Sequence, residues 1–146
     1  MEIKSSAFTN DGGIPVKYTN DGENISPPLE IADIPEGTKS LAILIQDPDS
    51  QSGIWTHWIV WGVKPEVKEI PENSIPLGAT VGTNSYGEQM YDGASPPSGT
   101  HRYIHKVFAL ASEISLDSAT TAEELMEIIE PHIIDQAELI GTYTRD

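Results

Sequence analysis

Short apolar runs separated by proline- and glycine-rich turns dominate the chain, a pattern that predicts strands with many turns. Lys39 to Gln46 (KSLAILIQ) is apolar and β-branched enough for a buried strand. Trp55 to Val63 (WTHWIVWGV) is a second, and strict alternation puts Trp55, His57, Ile59, Trp61 and Val63 on one face. His101 to Leu110 (HRYIHKVFAL) is a third, with His101, Tyr103, His105 and Val107 on one side and Arg102, Ile104, Lys106 and Phe108 on the other. Ile3–Phe8, Val67–Ile70 and Ala137–Thr144 are weaker strand candidates. One helix is expected. It opens at Thr121-Ala122-Glu123-Glu124, with acids in the first turn where the helix dipole favours them. Leu125, Ile128 and Ile129 form its apolar stripe, and Pro131 limits it.

Gly78 to Thr100 breaks this rhythm. It holds five glycines, two prolines, three serines and two tyrosines, with little periodicity. Long loops inside compact domains are usually functional. The length of 146 residues fits one domain spanning the whole chain, large enough to bury a core. No repeat or domain boundary is visible.

Composition removes several classes of function. There is no cysteine, so disulfides and thiolate metal sites are excluded. A net charge of -15, from 23 acidic and 8 basic residues, repels nucleic acid and anionic membranes. No apolar run is long enough to span a bilayer, and the N-terminus lacks the apolar core of a signal peptide. The expectation is a soluble cytoplasmic protein. Any anion site in it must work through local donors, against an unfavourable global field.

Polar signals cluster at the strand ends. Asp47-Pro48-Asp49 ends the first core strand, and His57 lies in the second between Trp55 and Trp58. His101-Arg102-Tyr103 begins the third, directly after Ser95-Pro96-Pro97-Ser98-Gly99. If these strands neighbour one another, two histidines, two carboxylates and a tyrosine converge at one rim. Each has an ordinary structural reading as well: His57 as a core histidine, Asp47 and Asp49 as turn residues, and the tryptophans as core filling. Trp55 could wall a pocket or anchor a dimer. His105 and His132 read as structural and surface residues.

Four ordered motifs, Asn24-Ile25-Ser26-Pro27-Pro28-Leu29, Asp47-Pro48-Asp49, Trp55-Thr56-His57-Trp58 and Gly93 to Tyr103 (GASPPSGTHRY), resemble those of the phosphatidylethanolamine-binding protein (PEBP) family, which includes Raf kinase inhibitor protein-like members. The resemblance is closest to the short bacterial and archaeal branch and covers the chain from about residue 5. It implies a mainly β sandwich, a large antiparallel Greek-key sheet packed on a smaller one, with one or two short helices. It further implies a non-enzymatic protein without cofactor or metal, whose small surface pocket takes phosphate, phosphorylated groups or carboxylates. Asp47, Trp55, His57, Gly93, Ser95, His101 and Tyr103 are then the ligand-binding candidates, with Gly93 to Pro97 supplying main-chain donors. Asp49 and Arg102 are structural support, Arg102 pairing with an acid that braces the site. A kinase or serine protease target and a homodimer are further expectations from the resemblance.

Three departures matter. Gln51 stands where the family often has proline, Ala94 and Ser95 stand where prokaryotic relatives often have proline and cysteine, and the longer eukaryotic members carry an extra C-terminal helix beside the pocket. The last implies a more open pocket here.

Chemistry supports the same residues. A protonated imidazole offers two donors and a charge, so His57 and His101 are expected to favour an anion on protonation, strengthening binding below about pH 7. Asp47 would repel an anion; its expected role is to accept a hydrogen bond from histidine or Arg102. Two alternatives compete. One is inhibition of a kinase or serine protease through surface loops independent of the pocket. The other is a hydrolase with His57, His101 and Asp47 as zinc ligands, although no HxxxH pair, H-E-x-x-H helix or nucleophile elbow is present.

Overall fold

The computed structural model describes residues 1–146. Nine strands and one α-helix follow in order: β1 (Glu2–Lys4), β2 (Gly12–Gly13), β3 (Leu29–Ala32), β4 (Ser40–Asp47), β5 (Trp55–Val63), β6 (Glu69–Ile70), β7 (Thr80–Val81), β8 (Gly99–Leu110), α1 (Ala122–Ile129) and β9 (Ile133–Arg145). They form a six-stranded sheet ordered β2-β9-β8-β4-β5-β7 and a three-stranded sheet ordered β1-β3-β6. Every pairing is antiparallel except β2 with β9. No helix is long and apolar enough to cross a membrane.

The continuous apolar runs are explained by burial on two faces. One face of the large sheet contributes Leu41, Ile43, Ile45, Trp58, Val60 and Val107, which meet Ile3, Leu29, Ile31 and Ile70 of the small sheet. The other face contributes Ala42, Leu44, Ile59, Trp61 and Phe108, which meet Ala122, Leu125 and Ile129 of α1. Strands covered on both sides lose the usual polar alternation.

Two irregularities correct the expected face of β5. Ile45 pairs with Trp58 but Gln46 pairs with Thr56, so β5 carries an extra residue at His57. Between Leu41/Val63 and Ile43/Val60 a second extra residue accompanies Gly62, whose φ is 71°. Each bulge reverses the alternation. Trp58, Val60 and Val63 therefore share one core, while Ile59 and Trp61 belong to the other. The bulge at His57 brings Trp58 to the side that Trp55 and His57 share by ordinary alternation.

The helix begins at a capping box: the Glu124 N–H donates to Thr121 Oγ1 and the Thr121 N–H to Glu124 Oε1. Its buried stripe is Ala122, Leu125 and Ile129, whereas Ile128 is 41% exposed, a correction to the expected stripe. Past Ile129 the chain tightens into a single turn of 3-10 helix at Glu130–His132, which contains Pro131. Of the weaker candidates, the first strand is only Glu2–Lys4 and the second only Glu69–Ile70, whereas the last runs from Ile133 to Arg145.

His105 lies wholly inside, its Nδ1–H donating to the Tyr103 carbonyl and its ring packed on Phe8. Burial pushes its pKa down to about 4. A base whose folded pKa lies below its unfolded value of about 6.5 is held neutral by folding. Its contribution is thus present above pH 6.5 and lost as pH falls towards 4. At about 1.4 kcal/mol per unit, the loss is about 3 kcal/mol. Urea midpoints are expected to fall across this window, ahead of the carboxylate range, and to fall less in His105→Gln. An equal slope in both proteins contradicts this assignment.

Candidate functional site

The rim where β4 ends, β5 begins and β8 begins encloses a cavity of about 270 Å³, lined by Asp47, Trp55, His57, Ser95, His101 and Tyr103 together with Ser50, Gln51, Ser52, Tyr86, Pro96 and Pro97. That is room for a small ligand. Adjacency in the sheet brings the motifs together: Asp47 pairs with Trp55, and Gln46 with Ile104.

Asp47 is a positioning group. Its Oδ1 accepts the Asp49 N–H at 2.7 Å and its Oδ2 lies 2.7 Å from His101 Nδ1. An ionised carboxylate only accepts, so the proton of a neutral His101 resides on Nδ1 and its Nε2 is left free. Asp49 faces away from the cavity's chemistry and clamps Arg102. Its two oxygens take the Arg102 N–H, Nε–H and Nη2–H at 2.9, 3.0 and 2.9 Å. Hydrogen bonding from that guanidinium holds the Asp49 carboxyl down to about 2. The acid that braces Arg102 is thus Asp49, and the clamp ties the loop after β4 to the start of β8.

His57 is oriented differently. Its Nδ1 lies 2.6 Å from the Asp92 carbonyl, another pure acceptor, so here too Nε2 is the free nitrogen. Burial lowers the His57 pKa, outweighing the nearby Asp92 and Asp47. Burial thus favours the neutral ring, so any proton His57 carries toward an anion is one it takes up with the ligand.

Three buried donors make no well-formed hydrogen bond, Trp55 Nε1, Tyr103 Oη and Trp61 Nε1. The first two belong to residues of the cavity wall, where the Tyr86 hydroxyl lies beside Trp55 and the Ser95 N–H beside Tyr103, and burial raises the Tyr103 pKa. Indole N–H can only donate. An unpaired buried polar group costs about 1–3 kcal/mol, and native structures rarely leave such groups without a reason. The aromatic walls interlock edge to face: Trp55 on Tyr86 at 5.2 Å, His57 on Tyr103 at 5.3 Å and His57 on Tyr86 at 5.9 Å between centroids.

Gly93 is not on the cavity wall. Its N–H donates to Asn24 Oδ1 at 2.7 Å, and no space exists beside its Cα for a side chain. The expected main-chain donor is therefore spent inside the protein, and Gly93 supports the site from behind. Asn24 Nδ2 also donates to Asp92 Oδ1, fixing the residue whose carbonyl orients His57. Ser95, by contrast, lines the cavity, and Arg145 reaches its Oγ at 3.4 Å and the Pro96 carbonyl at 3.2 Å.

Sequence reasoning missed Asp92 and Tyr86 as parts of the site, and singled out Gln51 only as a departure from the family pattern. Tyr86 is placed by the buried Asn84, whose Oδ1 accepts the Tyr86 and Glu88 N–H groups and whose Nδ2 donates to the Met90 carbonyl. Gln51 sits on the cavity wall. No three His, Asp or Glu side chains converge to hold a metal, and the zinc set of His57, His101 and Asp47 is not assembled, because Asp47 Oδ2 is committed to His101 Nδ1.

Residues 4–144 match the phosphatidylethanolamine-binding protein family, and the chain belongs to it. A UPF0098 protein of Methanothermobacter thermautotrophicus is 41% identical, with 99% of each chain covered. One from Archaeoglobus fulgidus is 45% identical over 96% of this chain, which spans about 50% of that relative. Among solved structures, a putative PEBP homologue from Chlamydia trachomatis superposes with a TM-score of 0.94 at 39% identity, covering 99% of this chain and 97% of the other. Escherichia coli YbcL, described as a new member of the mammalian PEBP family, gives 0.94 at 29% identity, covering 99% and 98%.

Proposed function

We propose that this protein is a non-enzymatic binder of small oxyanions, inorganic phosphate or a phosphorylated group, held in the cavity between Asp47 and Tyr103. The observation that carries the reading is the convergence of His57, His101, Trp55 and Tyr103 on one cavity, with Trp55 Nε1 and Tyr103 Oη making no well-formed hydrogen bond within the protein. Hydrogen bonds to a charged ligand are worth about 1.5–3 kcal/mol each. A few of these in a small polar site suit weak to moderate affinity. A phosphorylated side chain of a protein target would use the same donors, which is the route by which such a site could regulate a kinase or protease.

The free Nε2 of a neutral His57 accepts rather than donates. A ligand reaching it therefore arrives as P–OH, or the ring takes up a proton as the complex forms. Either way the complex holds one proton more than its separated partners above the second phosphate pKa of about 6. Affinity is expected to be flat below about pH 6 and to fall as pH rises, approaching tenfold per unit. Calorimetric titration with a phosphomonoester from pH 5.5 to 8, in buffers of different ionisation enthalpy, checks both the slope and the proton uptake. Affinity independent of pH, with no proton exchanged, contradicts the reading.

A further inference from the structure

We infer that His101 is a phosphoryl acceptor, forming phosphohistidine at Nε2 from a small phosphoramidate or acyl phosphate bound in the cavity. This rests on the oxyanion reading of the same pocket and adds a covalent step to it.

The chain has four histidines, and His101 differs from the other three. Its Nδ1–H donates to a carboxylate, Asp47 Oδ2, at 2.7 Å. His57 and His105 donate to uncharged carbonyls, of Asp92 and Tyr103, and His132 lies against the Ser112 hydroxyl. A carboxylate on Nδ1 fixes the tautomer with the lone pair on Nε2 and stabilises the positive ring that nucleophilic attack creates. Asp47 is itself held by the Asp49 N–H, so the pair is rigid. The His101 side chain keeps 12% exposure and that of Asp47 6%, and both residues line the cavity, with Asp47 Oδ2 held on His101 Nδ1.

The same cavity supplies what the transferred group needs. Tyr103 and Trp55 line it, and their Oη and Nε1, which make no well-formed hydrogen bond within the protein, are the donors assigned to the equatorial phosphoryl oxygens. Catalysis of such transfers is almost entirely positioning and electrostatic stabilisation. With phosphoramidate protonated on nitrogen, the His101 Nε2 lone pair attacks phosphorus and forms the N–P bond. The original P–N bond breaks, and its electron pair leaves with the nitrogen as ammonia. The Nδ1 proton stays in its hydrogen bond, and the ring cation is balanced by Asp47. With an acyl phosphate the broken bond is P–O and the leaving group is the carboxylate.

The test is to incubate the protein with phosphoramidate or acetyl phosphate and follow it by intact mass and by phosphorus and nitrogen NMR. One added phosphoryl group, stable in base, lost in acid and coupled to His101 Nε2, is expected. His101 should be labelled at least about ten times faster than exposed His132, the gain that a bound, oriented donor provides. His101→Gln should remove the adduct, and Asp47→Asn should slow it while circular dichroism shows both variants folded. Labelling of His132 or His57 at an equal rate overturns the inference. So does the absence of any adduct under conditions where inorganic phosphate still shifts the Trp55 indole signal, and in that case the binding reading stands alone. If phosphate produces no shift either, both fall together.

Discussion

Tyr103→Phe is expected to make the protein more stable and its ligand binding weaker. The hydroxyl is buried and makes no well-formed hydrogen bond, with only the Ser95 N–H beside it, and Tyr103 lines the cavity. Removing it relieves a poorly bonded polar group and leaves the ring in place, edge to face against His57 at 5.3 Å. About 1 kcal/mol of added stability is the expected result in urea unfolding without ligand. The same change deletes one hydrogen bond to a charged ligand, and phosphate affinity should fall about tenfold or more. Opposite signs in the two experiments are the signature of a group kept for binding at a cost to folding. A variant that loses stability, or that binds phosphate as tightly as the parent, contradicts the role given to Tyr103.

Gly93→Ala should be among the most damaging single methyl additions in the chain. A Cβ there would overlap the Tyr18 carbonyl oxygen and lie 2.8 Å from Asn24 Oδ1 and 3.0 Å from Thr19 Cα. Two of these neighbours are backbone atoms that cannot swing aside. The loop has to move, taking with it the Gly93 N–H to Asn24 bond and the Asp92 carbonyl that orients His57. Overpacking of this kind costs about 3 kcal/mol. Gly13→Ala is the control, since nothing lies within 4 Å of its added carbon. Equal unfolding midpoints for the two variants would show that Gly93 is not the tight packing point described.

The parts of this protein legible in its sequence are those governed by local pattern. Three of the four long strands, β4, β5 and β8, and the single helix follow from apolar runs and first-turn acids, whereas the longest, β9, showed only its second half as a weak pattern. The convergence of Asp47, His57 and His101 follows once the strands that carry them are neighbours, as they are. The face of β5 could not be read by counting, because one extra residue at His57 and another beside Gly62 each reverse the alternation. Glycine at position 62 was the available hint of a bulge. Strand β3 escaped notice although Leu29-Glu30-Ile31-Ala32 alternates buried and exposed, being short and next to two prolines. Asp92 and Tyr86 were out of reach for another reason: they are placed by the half-buried Asn24 and the buried Asn84, amides whose partners come from a loop without periodicity. Gly93 was read as a main-chain donor to the ligand, and in the structure that N–H is given to Asn24 Oδ1. Its missing side chain lets two backbone segments touch, and its N–H is consumed in doing so.

The account's central claim is that this cavity takes an oxyanion on its Trp55 and Tyr103 donors, and the Trp55 indole N–H is its most direct reporter. Trp61 provides the control within the same spectrum, since its Nε1 is also buried without a partner but lies in the core against α1. Heteronuclear NMR titration with inorganic phosphate and with phosphoethanolamine should move the Trp55 indole signal in a saturable way at millimolar ligand, together with His57 and His101, while Trp61 stays fixed. A stationary Trp55 signal, or equal drift of both indoles, would contradict it.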